Sequence, residues 1–147
     1  LTFRLCENDV STQFIPEAFV YHKRRTSWKQ FFKQTFNFGA ARPILNKMFP
    51  GSAKITFWFP AVFALGLVFS TVSALFGNSV FLSLFGVYFM ILFLDATFKN
   101  KSLIVGLFSV CATIIQFFGY GTGFLRSFLR LNILGRSKEN TFPKMFA

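Results

Sequence analysis

Acidic side chains are scarce in this chain. It holds 5 Asp and Glu against 16 Lys and Arg, for a net charge of +11. It has one histidine, His22, and two cysteines, Cys6 and Cys111. The cysteines have no metal-ligand spacing, which removes the zinc-finger and ribbon classes. A disulfide between them is not expected, because one lies in a reducing approach segment and the other in the middle of an apolar run. A secretory signal peptide is excluded, since the apolar runs are too long and too far from the start. The first residue is Leu1 rather than Met, and the chain is read as a piece of a longer protein.

What is abundant is apolar and aromatic surface. Hydrophobic residues make up 53% of the chain, mean hydropathy is +0.50, and phenylalanine alone occurs 25 times. The long runs fall at 55–76, 79–98 and 103–125. The first carries no charge and is ~33 Å long at 1.5 Å per residue, enough to cross a ~30 Å hydrocarbon layer with some tilt. The second carries only Asp95, four residues before Lys99, so the two can pair near the membrane surface. The third is apolar to Gln116 and then becomes glycine-rich. The separators, Gly77-Asn78-Ser79 and Lys99-Asn100-Lys101, allow nothing longer than helical hairpins. Gly66, Ser70, Ser73 and Ala74 read as helix-packing positions on the first span.

The cations are distributed unevenly. Nine lie in 1–54, two in the 99–101 turn and five in 126–147. This favours contact with anionic lipid and retention of 1–54 on the cytoplasmic side of the inner membrane, with no nucleic-acid partner. One conflict follows. Three complete crossings would place the five tail cations on the far side, against the positive-inside rule.

The approach to the spans is mixed in character. Residues 10–15 alternate as a half-buried strand would, Pro16-Glu17 breaks the run, and 18–22 reads as a second short strand. Ser27 or Thr26 can cap a helix over 28–41. On it Trp28, Phe31, Phe32 and Phe36 share a face, while Lys29, Gln30, Lys33, Gln34 and Asn37 fall largely elsewhere, a pattern suited to lying flat among headgroups. Gly39 and Pro43 are expected to disrupt or end this helix, leaving 44–49 as a separate amphipathic piece. Pro60 stands about one turn into the first span, where a kink is tolerable.

Several pieces, in order, carry a resemblance: Leu1-Thr2-Phe3-Arg4-Leu5, Ile15-Pro16-Glu17-Ala18-Phe19-Val20-Tyr21-His22, Arg24-Arg25-Thr26-Ser27, Gln34-Thr35-Phe36-Asn37-Phe38-Gly39 and Tyr120-Gly121-Thr122-Gly123-Phe124. Together they resemble the C-terminal portion of membrane-bound family 2 glycosyltransferases of the GT-A type. The fold implied is a mainly α membrane protein. Its parts would be the edge of a GT-A catalytic domain over 1–26 (a small α/β remnant), an amphipathic interface segment over 27–53, three transmembrane helices within 54–125 and a basic tail over 126–147.

The activity implied is transfer of a sugar from a nucleotide-sugar donor to a lipid-linked or cell-envelope acceptor, with Mg²⁺ or Mn²⁺ in the intact enzyme. The family's catalytic base and Asp-x-Asp metal motif would lie upstream, so this chain alone should be inactive. His22 is a candidate metal or diphosphate ligand. Arg24, Arg25, Gln34 and Asn37 are candidate contacts to substrate or diphosphate. Asn37 and Phe38 stand where the family's Gln-x-x-Arg-Trp element has Arg and Trp. Losing that arginine removes a bidentate phosphate ligand and fits single-sugar addition better than processive synthesis. The alternative is a non-enzymatic multi-pass protein, an assembly or transporter subunit.

Overall fold

A computed structural model describes residues 13–21 and 27–143. The described chain is mainly helical. Helix α1 is Trp28–Met48, α2 is Phe59–Leu75, α3 is Val80–Asn100, α4 is Leu103–Phe128 and α5 is Lys138–Thr141. A 3-10 turn at Ile55–Trp58 leads into α2, and a π-helical turn at Leu129–Ile133 extends α4. Three helical stretches are long and apolar enough to cross a membrane: Ile55–Leu75, Val80–Asn100 and Leu103–Ile133. The first two match the runs seen in the sequence to within two residues at each end, and the third starts where expected but continues past 125 to Ile133.

Two local expectations are corrected. No strand occurs among the described residues. Residues 13–21 form exposed chain around a turn in which the Ala18 amide donates to the Ile15 carbonyl at 3.2 Å. Alternation signals a strand only where a neighbouring backbone accepts the ladder, and Phe14, Phe19, Val20 and Tyr21 instead stand exposed. Residues 10–12 and His22 of the expected strands lie outside the described residues.

Helix α1, for its part, does not stop at Gly39 or Pro43. It begins as expected, with Ser27 Oγ accepting from the Gln30 amide at 3.3 Å, and then continues to Met48. A mid-helix proline costs about 3 kcal/mol. Packing against α4 along most of its length offsets that cost.

The face of α1 that is buried against the protein is a stripe of smaller residues, separate from the aromatic face. Thr35, Gly39, Ala40, Pro43 and Ile44 are covered, whereas Trp28 and Phe32 remain 45% and 41% exposed. Trp28 meets Phe108 edge-on at 5.8 Å, Thr35 faces Gly119, and Ala40 faces Gly123. Partners advance together along both chains, so α1 and α4 run in the same direction. The helices approach this closely because the seam carries small residues. A Cβ on Gly39 would strike the Tyr120 carbonyl, and one on Gly119 or Gly123 would strike Thr35 or the Phe36 carbonyl. Gly121, on another side of α4, would meet the Pro60 carbonyl at 2.9 Å and Ala61 Cα at 3.1 Å. A helical glycine is less favourable than alanine by ~1 kcal/mol. Here that loss permits α4 to be wedged between α1 and α2.

Helices α2 and α3 form a hairpin. Gly77, at φ +91°, supplies the left-handed residue its turn requires. Phe63 is the hub, with ring centroids at 5.1 Å from Phe85, 5.4 Å from Tyr88 and 4.3 Å from Phe117. Pro60 is the second residue of α2, where a missing amide hydrogen leaves no helical bond unmade. Contacts of α4 with the hairpin fall near its open end. Gly106 packs on Phe93 and Thr97, Phe117 on Phe59 and Phe63, and Trp58 on Phe124 and Phe128 at 4.8 and 4.7 Å.

The expected Asp95–Lys99 pair is present, at 2.9 Å, with both side chains more than half exposed. Exposed helical pairs contribute about 0.3–0.5 kcal/mol. Asp95→Asn should therefore move the unfolding free energy of the detergent-solubilised protein by less than about 0.5 kcal/mol. A larger loss would mean that the carboxylate serves something beyond this pair.

A candidate anion-binding cleft

The C-terminal end of α4 does not run straight out. At Leu129–Ile133 the helix widens into π geometry, with the Leu134 amide donating to the Leu129 carbonyl at 3.0 Å. Gly135, at φ +58°, then reverses the chain, and the Arg136 amide closes back on the Arg130 carbonyl at 2.9 Å. This is the left-handed cap that a helix end favours when glycine follows. Ser137 caps α5 through the Asn140 amide at 3.2 Å, and Thr141 becomes buried with its hydroxyl on the Ser137 carbonyl at 2.8 Å. The tail is thereby folded back beside α1.

A cleft of about 390 Å³ lies between these three pieces. From α1 it takes Phe36 and Asn37, from the end of α4 Arg126, from the π turn that extends it Arg130, and from the tail Asn140 and Thr141. The Arg126 guanidinium lies 5.8 Å from the Phe36 ring centre, within the range of cation–π attraction. Neither arginine has a carboxylate within salt-bridge distance among the described residues. Guanidinium and amide N–H groups are donors, so the cleft is suited to oxygen atoms bearing negative charge.

A smaller cavity of about 270 Å³ lies nearer the C-terminal end of α1, where Asn46, Lys47, Trp58 and Asn132 meet. The Asn46 side-chain oxygen is buried there without a hydrogen-bond partner. Close by, Arg42 fixes the link from α1 to α2. It donates to the Ser52 carbonyl at 2.6 Å and stands 3.5 Å over the Phe57 ring.

Of the candidates from sequence, Asn37 lines the cleft. Gln34 lies on α1 about one turn earlier and is not part of the lining. His22, Arg24 and Arg25 lie outside the described residues. Arg126, Arg130 and Asn140 were not anticipated. The signal available for them was a pair of arginines four apart just beyond a glycine-rich helical tract. Among the described residues no three His, Cys, Asp or Glu side chains come together to hold a metal ion. Comparison of the chain with protein-family models, curated proteins and solved structures gives no match.

Proposed function

We propose that this chain is the membrane-anchoring C-terminal part of a glycosyltransferase. The enzyme would move a sugar from a nucleotide-sugar donor to a lipid-linked or cell-envelope acceptor, with residues 1–54 on the cytoplasmic side of the inner membrane. The observation that carries this reading is the position of Asn37. It belongs to the segment 34–39 that resembles the family's acceptor- and diphosphate-contacting element, and it opens on a cleft that also holds two arginines.

The division of labour is physical. Glycosyl transfer needs a base to deprotonate the acceptor and positive charge to stabilise the departing diphosphate. No base is assigned in this chain, which contributes cations and amides. The hairpin supplies the tether. The tight α1–α4 seam makes a stiff floor, so that groups on α1 keep a fixed height relative to lipid headgroups. Stiffness matters because catalytic placement tolerates errors of only a fraction of an ångström to about one ångström.

The test has two arms. The coding sequence ahead of the Leu1 codon should contain, in frame, a Glu-Asp pair close by and an Asp-x-Asp further up. The protein from that whole reading frame should transfer label from a nucleotide-sugar panel to a membrane lipid fraction. Asn37→Ala should lower the rate by about tenfold to a hundredfold, the cost of one or two polar contacts to the reacting groups. An in-frame start codon at this position with no upstream domain would instead support the non-enzymatic multi-pass reading.

A further inference from the structure

We propose that the cleft between α1, the end of α4 and the returning tail binds a phosphate group, held by Arg126 and Arg130 with the side-chain amides of Asn37 and Asn140. The inference goes beyond the transferase reading and stands without it. A chain that binds phosphate but takes part in no sugar transfer would keep it.

Three observations point to this chemistry. The first is unbalanced charge. Arg126 and Arg130 lie one turn apart and line the same cleft, an arrangement that repels at this spacing. Asp95, one of the few described acids, is paired with Lys99 on α3, and the exposed Glu139 makes no salt bridge to either arginine. The fold holds two like charges together without a described counterion.

The second observation is the donor set. Two arginines and two asparagines, from α1, the end of α4 and the tail, line one space. A planar carboxylate is satisfied by a single guanidinium fork. A tetrahedral phosphate has oxygens enough for donors arriving from several directions.

The third is construction. The π turn, the left-handed Gly135 and the Ser137 cap all act to return the tail, which places Asn140 at the cleft. Local π geometry is found disproportionately at functional positions. Phe36 and Phe142 add apolar wall, so a phosphate carrying an aliphatic group would be covered on both its charged and its greasy parts.

The phosphate could arrive on a lipid headgroup or free in solution, and the experiment separates the two. The whole 147-residue chain is purified in neutral detergent. Its binding of phosphatidic acid and of diacylglycerol, which has the same chains without phosphate, is measured by native mass spectrometry. Phosphatidic acid should bind saturably and diacylglycerol should not. Arg126→Gln with Arg130→Gln should weaken phosphatidic acid binding by about tenfold or more, as expected when charge-assisted contacts are removed. Arg136→Gln, a cation outside the cleft lining, should change it by less than about twofold.

Should the double variant fail to fold, Arg130→Lys keeps the charge and must still weaken binding, because a lysine cannot reproduce the fork. Inorganic phosphate that displaces the lipid identifies a soluble source. Failure to displace it identifies the headgroup. Equal binding of diacylglycerol overturns the proposal, as does binding unchanged in both the double variant and Arg130→Lys.

Discussion

Gly39→Ala should release α1 from α4. The added methyl has nowhere to go, since it would meet the Tyr120 carbonyl, which belongs to the backbone of a packed helix and cannot rotate aside. The helices must separate, and the opposing contacts of Thr35 with Gly119 and Ala40 with Gly123 separate with them. Overpacking of this kind costs about 3 kcal/mol or somewhat more. The measurement is maleimide labelling of Thr35→Cys, a position 7% exposed, in a background where Cys6 and Cys111 are serine. Labelling should be slow in the parent and roughly a hundredfold faster with Gly39→Ala, the ratio that such an energy implies. Gly51→Ala and Gly86→Ala are controls, since nothing lies within 4 Å of either added Cβ. Protection that survives Gly39→Ala would show that the seam is not held by close backbone approach.

The second large effect concerns sidedness. Both ends of α4 meet the hairpin near its open end, at Thr97 through Gly106 and at Trp58 through Phe124 and Phe128. The tail also lies against α1. We therefore expect single cysteines replacing Ser27, Lys101 and Gly135 to label from one side of a sealed vesicle, and one replacing Asn78 to label only from the other. This arrangement removes the conflict in the charge pattern. It puts the Lys and Arg of the described residues toward one face and leaves the uncharged 77–79 turn alone on the opposite face. Labelling of Gly135→Cys together with Asn78→Cys would mean that α4 crosses completely.

The three long apolar helices were legible in the sequence because length and hydropathy are properties of a single run. Twenty apolar residues between turn formers admit few other solutions. The start of α1 was legible for the same reason, since a serine cap acts within three residues. Its end was not. Gly39 and Pro43 carry local signals to stop, and what overrides them is a partner stretch about 80 residues later, which no windowed reading can weigh. The aromatic face of α1 was read as lying among headgroups, and nothing in the sequence reading pointed to the separate buried stripe of Thr35, Gly39, Ala40, Pro43 and Ile44. Its complement, Gly119 and Gly123, was visible only as a glycine-rich tract. The cleft was half legible. Asn37 was singled out through resemblance, but its companions Arg126 and Arg130 lie far along the chain. They become neighbours only because α1 and α4 run side by side.

That pairing has a consequence for biosynthesis. Helix α1 leaves the ribosome long before its partner exists. At typical translation rates the interval from Met48 to Phe128 is about 4–16 s. Throughout it, the notch at Gly39 and Ala40 is uncovered, and a chaperone or the insertion machinery has time to hold it. A premature stop between Lys101 and Gly119 would leave a nascent chain with its hairpin complete and its first helix still unmated, a species open to chaperone and protease triage.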